Sequence, residues 1–311
     1  MSVSGLTGRD FLSLEDFSPE EIRGLLDLAR EGKERFRRGE RRTVLQGQAI
    51  GLIFRKNSTR TRVSFEVGIR QLGGEALFLG ANDLQLGRGE TIADTARVLS
   101  RYLQALVVRT YAQEELVELA KEATIPVING LTDLHHPCQV LADLQTLEEA
   151  KGSLKGKRLA YVGDGNNMAN SLLLGAALVG MDIRVAVPPG YEPFAGAVAK
   201  AWEIAGSTGG TVAVGNDAKW AVSGADAVYT DTWISMGQEE ETAQRRELFQ
   251  PYQVSAELLA KADPEVVFLH CLPAHRGEEV TGEVLDGPHS LVWEQAENRL
   301  HAQKAVLEAL L

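Results

Sequence analysis

The sequence predicts an α/β protein of two similar-sized domains, each a parallel sheet flanked by helices, and three observations predict it. The 311 residues, 44% hydrophobic and 24% charged, exceed the usual single domain of about 100 to 200 residues and can fill substantial cores. Short apolar runs alternate with stretches of helical periodicity. The alternation occurs twice along the chain, and strands joined by helical crossovers lie parallel in one sheet.

Taken in order, Ser18-Pro19-Glu20-Glu21 supplies a hydroxyl cap, a proline at the first helical position and a carboxylate three residues after the cap, which starts a first helix. Buried strands are expected at Ala49 to Phe54, Ala76 to Leu79, Ala105 to Val108 and Pro126 to Ile128. Helices fall between them at Thr61 to Leu72, Thr91 to Tyr102 and Gln113 to Ala123, the first closed by Gly73-Gly74. A connecting helix and a Gly-Lys turn occupy His136 to Lys157. The second series has strands at Arg158 to Val162, Ile183 to Val187, Thr211 to Val214, Ala227 to Tyr229 and Val266 to Leu269. Residues 296–311 form a terminal amphipathic helix. The domains are therefore expected at 1–150 and 151–295.

Composition excludes several functions. The nearly uncharged run Ser171 to Met181 is far shorter than the roughly 20 residues of a membrane span and reads as a buried helix. Met1 to Asp10 has neither a basic cluster nor an apolar core, so a cytoplasmic protein is expected. Cys138 and Cys271 leave room for at most one disulfide and for no four-cysteine zinc site. A net charge of −11 disfavours nucleic acid and anionic membranes as partners. An anionic small substrate must then meet locally concentrated arginines.

Such a place follows the first buried strand, at Arg55-Lys56-Asn57-Ser58-Thr59-Arg60-Thr61-Arg62. A strand, a polar loop and a helix start together make an anion site, because first-turn N–H groups point outward and the helix dipole is positive there. Ser58 or Thr59 could equally be an ordinary helix cap beneath solvated arginines. Cations in a first turn oppose the dipole, however, so Arg60 and Arg62 make better sense with an anion among them. No Gly-x-x-x-x-Gly-Lys occurs, which excludes an ordinary nucleoside-triphosphate loop. Arg109 and His136 follow strands three and four at the carboxyl edge of the same sheet, where ligands of open α/β sheets bind. Each alone could be an ion-pair partner or a cap.

In the second half, Gly163-Asp164-Gly165-Asn166-Asn167-Met168 superficially suggests a dinucleotide turn. Met168 replaces the third glycine, and Pro188-Pro189 stands where an acidic ribose ligand belongs, so no cofactor is expected. Asn167, Asp231, Ser235 and Cys271 follow strand ends and suit the groups of an amino acid. Asp231 could also be a turn residue, and Cys271 a small buried one.

The Ser58 to Arg62 loop and His136-Pro137-Cys138-Gln139 resemble the carbamoyl-phosphate half of the aspartate/ornithine carbamoyltransferase family. Asp231 to Gly237, with its Ser235-Met236-Gly237, and His270-Cys271-Leu272-Pro273 resemble the ornithine-using branch. The resemblance covers essentially the entire chain. It implies transfer of the carbamoyl group of carbamoyl phosphate to the side-chain amine of L-ornithine, giving L-citrulline and phosphate with neither cofactor nor metal. It implies a carbamoyl-phosphate set of Ser58, Thr59, Arg60, Thr61, Gln85, Arg109, His136, Pro137, Cys138, Gln139, Cys271, Leu272 and Arg299, with Cys138 as a packing residue. Asn167, Asp231, Ser235 and Met236 would contact ornithine, while Arg109, His136, Asp231 and Cys271 carry the chemistry. Arg299, in Asn298-Arg299-Leu300-His301, would mark the return of the last helix to the first domain. The family further implies a homotrimer with shared sites, open to assembly of trimers, in which Gln85 reaches a neighbouring subunit. Gln238 to Glu247 would be a lid or a solvated loop. A sibling acceptor specificity, a nucleotide-dependent oxidoreductase and a non-catalytic paralogue are the rival readings.

Overall fold

The computed structural model describes residues 3, 5–80, 84–85, 89–234 and 239–311. They form two compact units, one of Met1–Gln145 with Glu297–Leu311 and the other of Thr146–Ala296.

In the first unit, strands β1 (Ala49–Phe54), β2 (Glu75–Gly80), β3 (Ala105–Arg109) and β4 (Val127–Leu131) make a parallel sheet in the order β2-β1-β3-β4. Helices α1 (Pro19–Arg37), α2 (Thr59–Gln71), α3 (Ile92–Leu99) and α4 (Gln113–Glu122) flank it. The cap expected of Ser18 is present, its side chain accepting from Glu21 N while Glu21 answers Ser18 N. α2 turns Phe65, Gly68 and Ile69 inward, at the three- and four-residue spacing of one helix face. Phe65 and Ile69 are fully buried, each contributing about 1.5–3 kcal/mol. α3 and α4 close over Ile53, Leu106 and Val108 with Ala96, Leu116 and Leu119.

The second unit carries β5 (Arg158–Val162), β6 (Asp182–Ala186), β7 (Thr211–Gly215), β8 (Ala227–Thr230) and β9 (Val267–His270), all parallel, in the order β7-β6-β5-β8-β9. α5 (Pro137–Lys151) is the expected connecting helix, and α6 (Asn167–Leu178) follows β5. From Met168 to Leu178 every residue of α6 is buried, which accounts for the uncharged run read from the sequence. α7 (Ala195–Thr208), α8 (Ala218–Val222), α9 (Thr242–Phe249), α10 (Ala256–Leu259) and α11 (Gly282–Leu285) complete this unit. The terminal helix α12 runs Val292–Leu310, starting earlier than expected, and its part from Glu297 belongs to the first unit.

Each sheet reverses its winding beside its first strand, between β1 and β3 in one and between β5 and β8 in the other. Loops at the carboxyl ends of such strand pairs diverge to opposite faces and leave a crevice, the usual ligand position in open α/β sheets. The candidate residues gather at those two places. Among the described residues, no helix is long and apolar enough to cross a membrane.

Candidate active site

In the first unit, the β1–β3 switch point holds the basic loop. Ser58 has an extended backbone, and its hydroxyl accepts from Thr61 N at 3.2 Å, so it caps α2 and the helix begins at Thr59, two residues before the expected start. Thr59, Arg60 and Thr61 thereby occupy the first turn, where backbone N–H groups lack helical acceptors. Thr61 is buried, and its hydroxyl accepts from Arg299 Nη2 at 3.0 Å. The same guanidinium donates from Nη1 to Gln139 Oε1 at 2.6 Å and from Nε to Gln303 Oε1 at 3.0 Å. Gln139 Nε2 in turn reaches Asp143 Oδ1 at 2.8 Å, and Gln303 Nε2 reaches Ser64 Oγ at 2.8 Å. Lys33, buried on α1, donates to Asn298 Oδ1 at 2.7 Å and holds α12 beside Arg299.

Arg109 lies at the end of β3, where the register with β4 shifts between Val108 and Arg109. Such an irregularity re-aims the following side chain. His136 stands one residue before α5, with Pro137 at the first helical position. Burial, followed by the Arg299, Arg109 and Arg60 guanidiniums, holds the His136 pKa well below its ordinary value. The imidazole is therefore a neutral donor or acceptor amid three cations. Cys138 is fully buried, donates to Asn129 O at 3.4 Å, and is pushed up by burial to about 12, so it remains a thiol. Gln85 is exposed.

The neighbouring basic residues require a correction. Arg62 does not join the anion site: it donates to Glu66 Oε1 at 2.8 Å and lies 3.5 Å over the Phe78 ring. Arg55 pairs with Glu115 at 2.6 Å, and Lys56 pairs with Asp133. A helix face supplies Arg62 with a carboxylate four residues on, which relieves its conflict with the dipole without any ligand.

His135, beside His136, is pushed down by burial to about 4, and its Nδ1 has no hydrogen-bond partner. Folded protein thus binds its proton less readily than unfolded protein, so stability falls as pH drops below about 6.5 toward 4. His135→Gln is expected to lose about 2 kcal/mol less stability than the parent between about pH 7 and pH 5. Denaturant unfolding at both pH values measures this, and parallel losses would refute it.

In the second unit, the β5–β8 switch point holds Asp231, buried just after β8. Asn166 Nδ2 donates to Asp231 Oδ2 at 2.8 Å, and Cys271 Sγ, just after β9, donates to Asp231 Oδ1 at 2.9 Å. Asn166 also caps α6, its Oδ1 accepting from Met168 N at 2.9 Å and Ala169 N at 3.3 Å. The expected Asn167 is the first residue of α6 and is half-buried. Tyr161 donates to Asp164 O at 2.7 Å, and burial, with Asp231 and Asp164 nearby, keeps its phenol protonated. Ser235 and Met236 lie outside the described residues, as does Gly237.

Residues missed from the sequence complete this side. Asp164 Oδ2 lies 3.2 Å from Arg245 Nη1, both buried, and burial raises the carboxyl pKa to about 6 against the pull of that guanidinium. Arg245 also donates to Trp233 O at 3.0 Å and to Glu241 Oε2 at 2.7 Å. The segment expected as a lid or solvated loop therefore overlaps helix α9, tied inward through Arg245. Glu241, four residues before Arg245, was a visible signal; Asp164 was not.

The glycine turn after β5 has a packing explanation. A Cβ on Gly165 would meet Tyr191 O at 2.3 Å, and Gly163 has φ 144°, so both positions need glycine without any dinucleotide. Asp231, His270 and Cys271 bring ligand-type atoms within 4.8 Å of one another. His270 is already committed, Nδ1 accepting from Leu272 N at 2.8 Å and Nε2 facing Glu279 Oε1 at 3.0 Å. Among the described residues only a thiol and a carboxylate are left there, whereas zinc takes about four ligands, usually three or more from protein. Leu272 itself has φ 60°, a left-handed conformation rare outside glycine and typical of ligand-clamping backbone.

Comparison with known proteins places this geometry. Residues 9–149 match the carbamoyl-P binding domain of aspartate/ornithine carbamoyltransferases, and residues 155–310 match the Asp/Orn binding domain. The chain belongs to the aspartate/ornithine carbamoyltransferase family. An ornithine carbamoyltransferase of Anoxybacillus flavithermus is 59% identical over 306 residues, 98% of each chain. That of Symbiobacterium thermophilum is 58% identical over 99% of this chain and all of its own. The solved ornithine carbamoyltransferase of Pyrococcus furiosus superposes with a TM-score of 0.96 at 53% identity, covering 98% of this chain and 97% of that one. Within this family, the two switch-point clusters fall in the two matched domains.

Proposed function

We propose that the protein transfers the carbamoyl group of carbamoyl phosphate to the side-chain amine of L-ornithine, giving L-citrulline and phosphate, with residues 1–150 binding carbamoyl phosphate and 151–295 binding ornithine. The observation that carries the choice of acceptor is the setting of Asp231. Aspartate bears two carboxylates and needs cationic clamps, yet Arg245, the buried arginine tied to the turn after β5, is already engaged by Asp164 and Glu241. A carboxylate held between Asn166 and Cys271 suits an ammonium instead.

Carbamoyl phosphate is a mixed anhydride, so its carbonyl must be polarised and its departing phosphate neutralised. In this reading, Ser58, Thr59 and Arg60 at the start of α2 hold the phosphate. Thr61, Arg109 and neutral His136 face the carbonyl oxygen and stabilise the tetrahedral oxyanion, Gln139 holds the carbamoyl amide, and Arg299 orders Thr61 and Gln139 together. Pro137 sets the turn of His136, Cys138 packs beneath it, and Leu272 presents backbone to the carbamoyl group. Asn167, Ser235 and Met236 line the amino-acid side, with Asp231 on the α-ammonium. Cys271 positions the side-chain amine and helps it lose its proton. The free amine attacks the carbonyl carbon, the C–O bond to phosphate breaks, and the amine proton passes to phosphate or solvent.

An ammonium with a lysine-like pKa of about 10.4 is under about 1% neutral at pH 8. kcat/KM for ornithine is therefore expected to rise roughly tenfold per pH unit from pH 6 to 8. His136 adds no limb in that range because its pKa lies well below 6.5. A flat profile would exclude amine deprotonation from the rate. The acceptor itself is tested by offering ornithine, aspartate, putrescine, lysine and N-acetylornithine with carbamoyl phosphate. Citrulline from ornithine alone is expected; product from another amine would overturn the acceptor assignment.

We further infer a homotrimer acting in the cytoplasm, with Gln85 reaching a neighbouring subunit's site. Val63 and Val67 on α2, Leu77 on the edge strand β2 and Val98 on α3 are all exposed, an apolar surface suited to burial by another copy. Both cysteines are free thiols, which suits a reducing compartment. Light scattering that gave a monomer would reject the trimer.

A further inference from the structure

Arg299 and Gln303 stand one turn apart on α12 and so share a face of that helix, in the part that belongs to the first unit. A guanidinium carries donors and no acceptor, so the Gln303 atom 3.0 Å from Arg299 Nε is the carbonyl oxygen Oε1. That fixes the amide: its Nε2 faces Ser64 Oγ on α2 at 2.8 Å and donates to it. Ser64 has one hydroxyl proton, and Arg60 O at 2.6 Å is a closer acceptor than Gln303 Oε1 at 3.1 Å or Thr61 O at 3.3 Å. One direction therefore satisfies all three groups: Arg299 donates to Gln303, Gln303 to Ser64, and Ser64 to Arg60 O.

The Arg60 carbonyl and the Thr61 N–H belong to one planar peptide group. Ser64 holds its oxygen, and its N–H donates to Ser58 Oγ at 3.2 Å. The Thr61 side chain returns to Arg299, accepting from Nη2 at 3.0 Å. The contacts thus close into a ring, from Arg299 through Gln303, Ser64 and the Arg60–Thr61 peptide back to Arg299. Gln303, Thr61 and Arg299 are all buried, and hydrogen bonds linked in a dry setting strengthen one another. We infer that Gln303 and Ser64 are positioning residues for the transfer reaction, aiming Arg299 and the first turn of α2 at carbamoyl phosphate through this ring. The inference rests on the reading of the first unit as the carbamoyl-phosphate site. A ring opened at Gln303 or at Ser64 releases the same groups, so a second break adds little, whereas two independent packing contacts would add in full.

The test is a double-mutant cycle of Ser64→Ala and Gln303→Leu in the full chain, read by steady-state kinetics toward both substrates. Each single variant should raise KM for carbamoyl phosphate about tenfold while lowering kcat by less than about threefold, since each leaves a hydrogen-bonding group without its partner. KM for ornithine, at saturating carbamoyl phosphate, should stay within about twofold, and the double variant should be no more than about twofold worse than the poorer single one. Ser64→Ala removes one oxygen from a half-buried helix position and supplies the best helix former, so it keeps the fold and carries the test even where Gln303→Leu does not fold. A merely structural role would lower the amount of active enzyme and leave KM alone. An active Ser64→Ala variant with the parent's KM for carbamoyl phosphate overturns the inference, as does a double variant about a hundredfold impaired, the product of two independent tenfold losses. A parent chain that forms no citrulline would instead overturn the assigned function, and this inference with it.

Discussion

Replacing Arg299 by methionine is expected to lower kcat/KM for carbamoyl phosphate by about 10³-fold, and replacing it by lysine by about 10²-fold. The guanidinium donates to Thr61, Gln139 and Gln303 at once, each from a different nitrogen, while buried to 3% of its surface. A lysine supplies the charge but cannot span those acceptors with a planar fork. Methionine leaves three buried acceptors without their donor, and each such loss costs roughly 1–3 kcal/mol, so the thermal midpoint should fall too. Steady-state kinetics separates the two effects. KM for carbamoyl phosphate should rise with kcat reduced, whereas a purely structural role would lower the amount of active enzyme and leave KM alone. A methionine variant within threefold of the parent would remove Arg299 from the site.

The second large effect belongs to Asp231→Asn, which keeps the shape and removes the charge. An ammonium facing a buried carboxylate is worth roughly 2–5 kcal/mol, so kcat/KM for ornithine should fall about 10²- to 10³-fold. Cys271 also loses an ionised acceptor for its thiol at 2.9 Å, which loosens its position. Carbamoyl phosphate binding, assigned mainly to the first unit, should change far less, since only Cys271 and its neighbour Leu272 link it to Asp231. The two variants therefore form opposite controls: one raises KM mainly for the phosphate substrate, the other mainly for the amine. Loss of carbamoyl phosphate binding in Asp231→Asn would break that division of labour.

Much of this organisation was legible because it is local. The run Ala49 to Phe54 is apolar from end to end and became β1 with those bounds, and Ser58 followed by Thr61 is a cap at its usual spacing. Arg62 was misjudged although its explanation, Glu66, stood four residues away in plain view. Asn166, which caps α6 and holds Asp231, was not singled out, because which residue caps a helix depends on the backbone angle entering it. Asp164 offered no signal at all, since its partner Arg245 is distant in sequence and meets it only through the fold.

The sequence by itself determined the two α/β units, the phosphate-suited loop after β1 and the acidic and thiol groups after β8 and β9, because periodicity and capping are written within a few residues of where they act. Only the tertiary structure decided which arginines serve the site. Arg55 and Arg62 are neutralised by nearby carboxylates, Arg245 is locked to Asp164, and Arg299 reaches Thr61 across 238 residues of chain. A guanidinium's role follows from which acceptor it meets and how dry that meeting is, and both are properties of the folded chain.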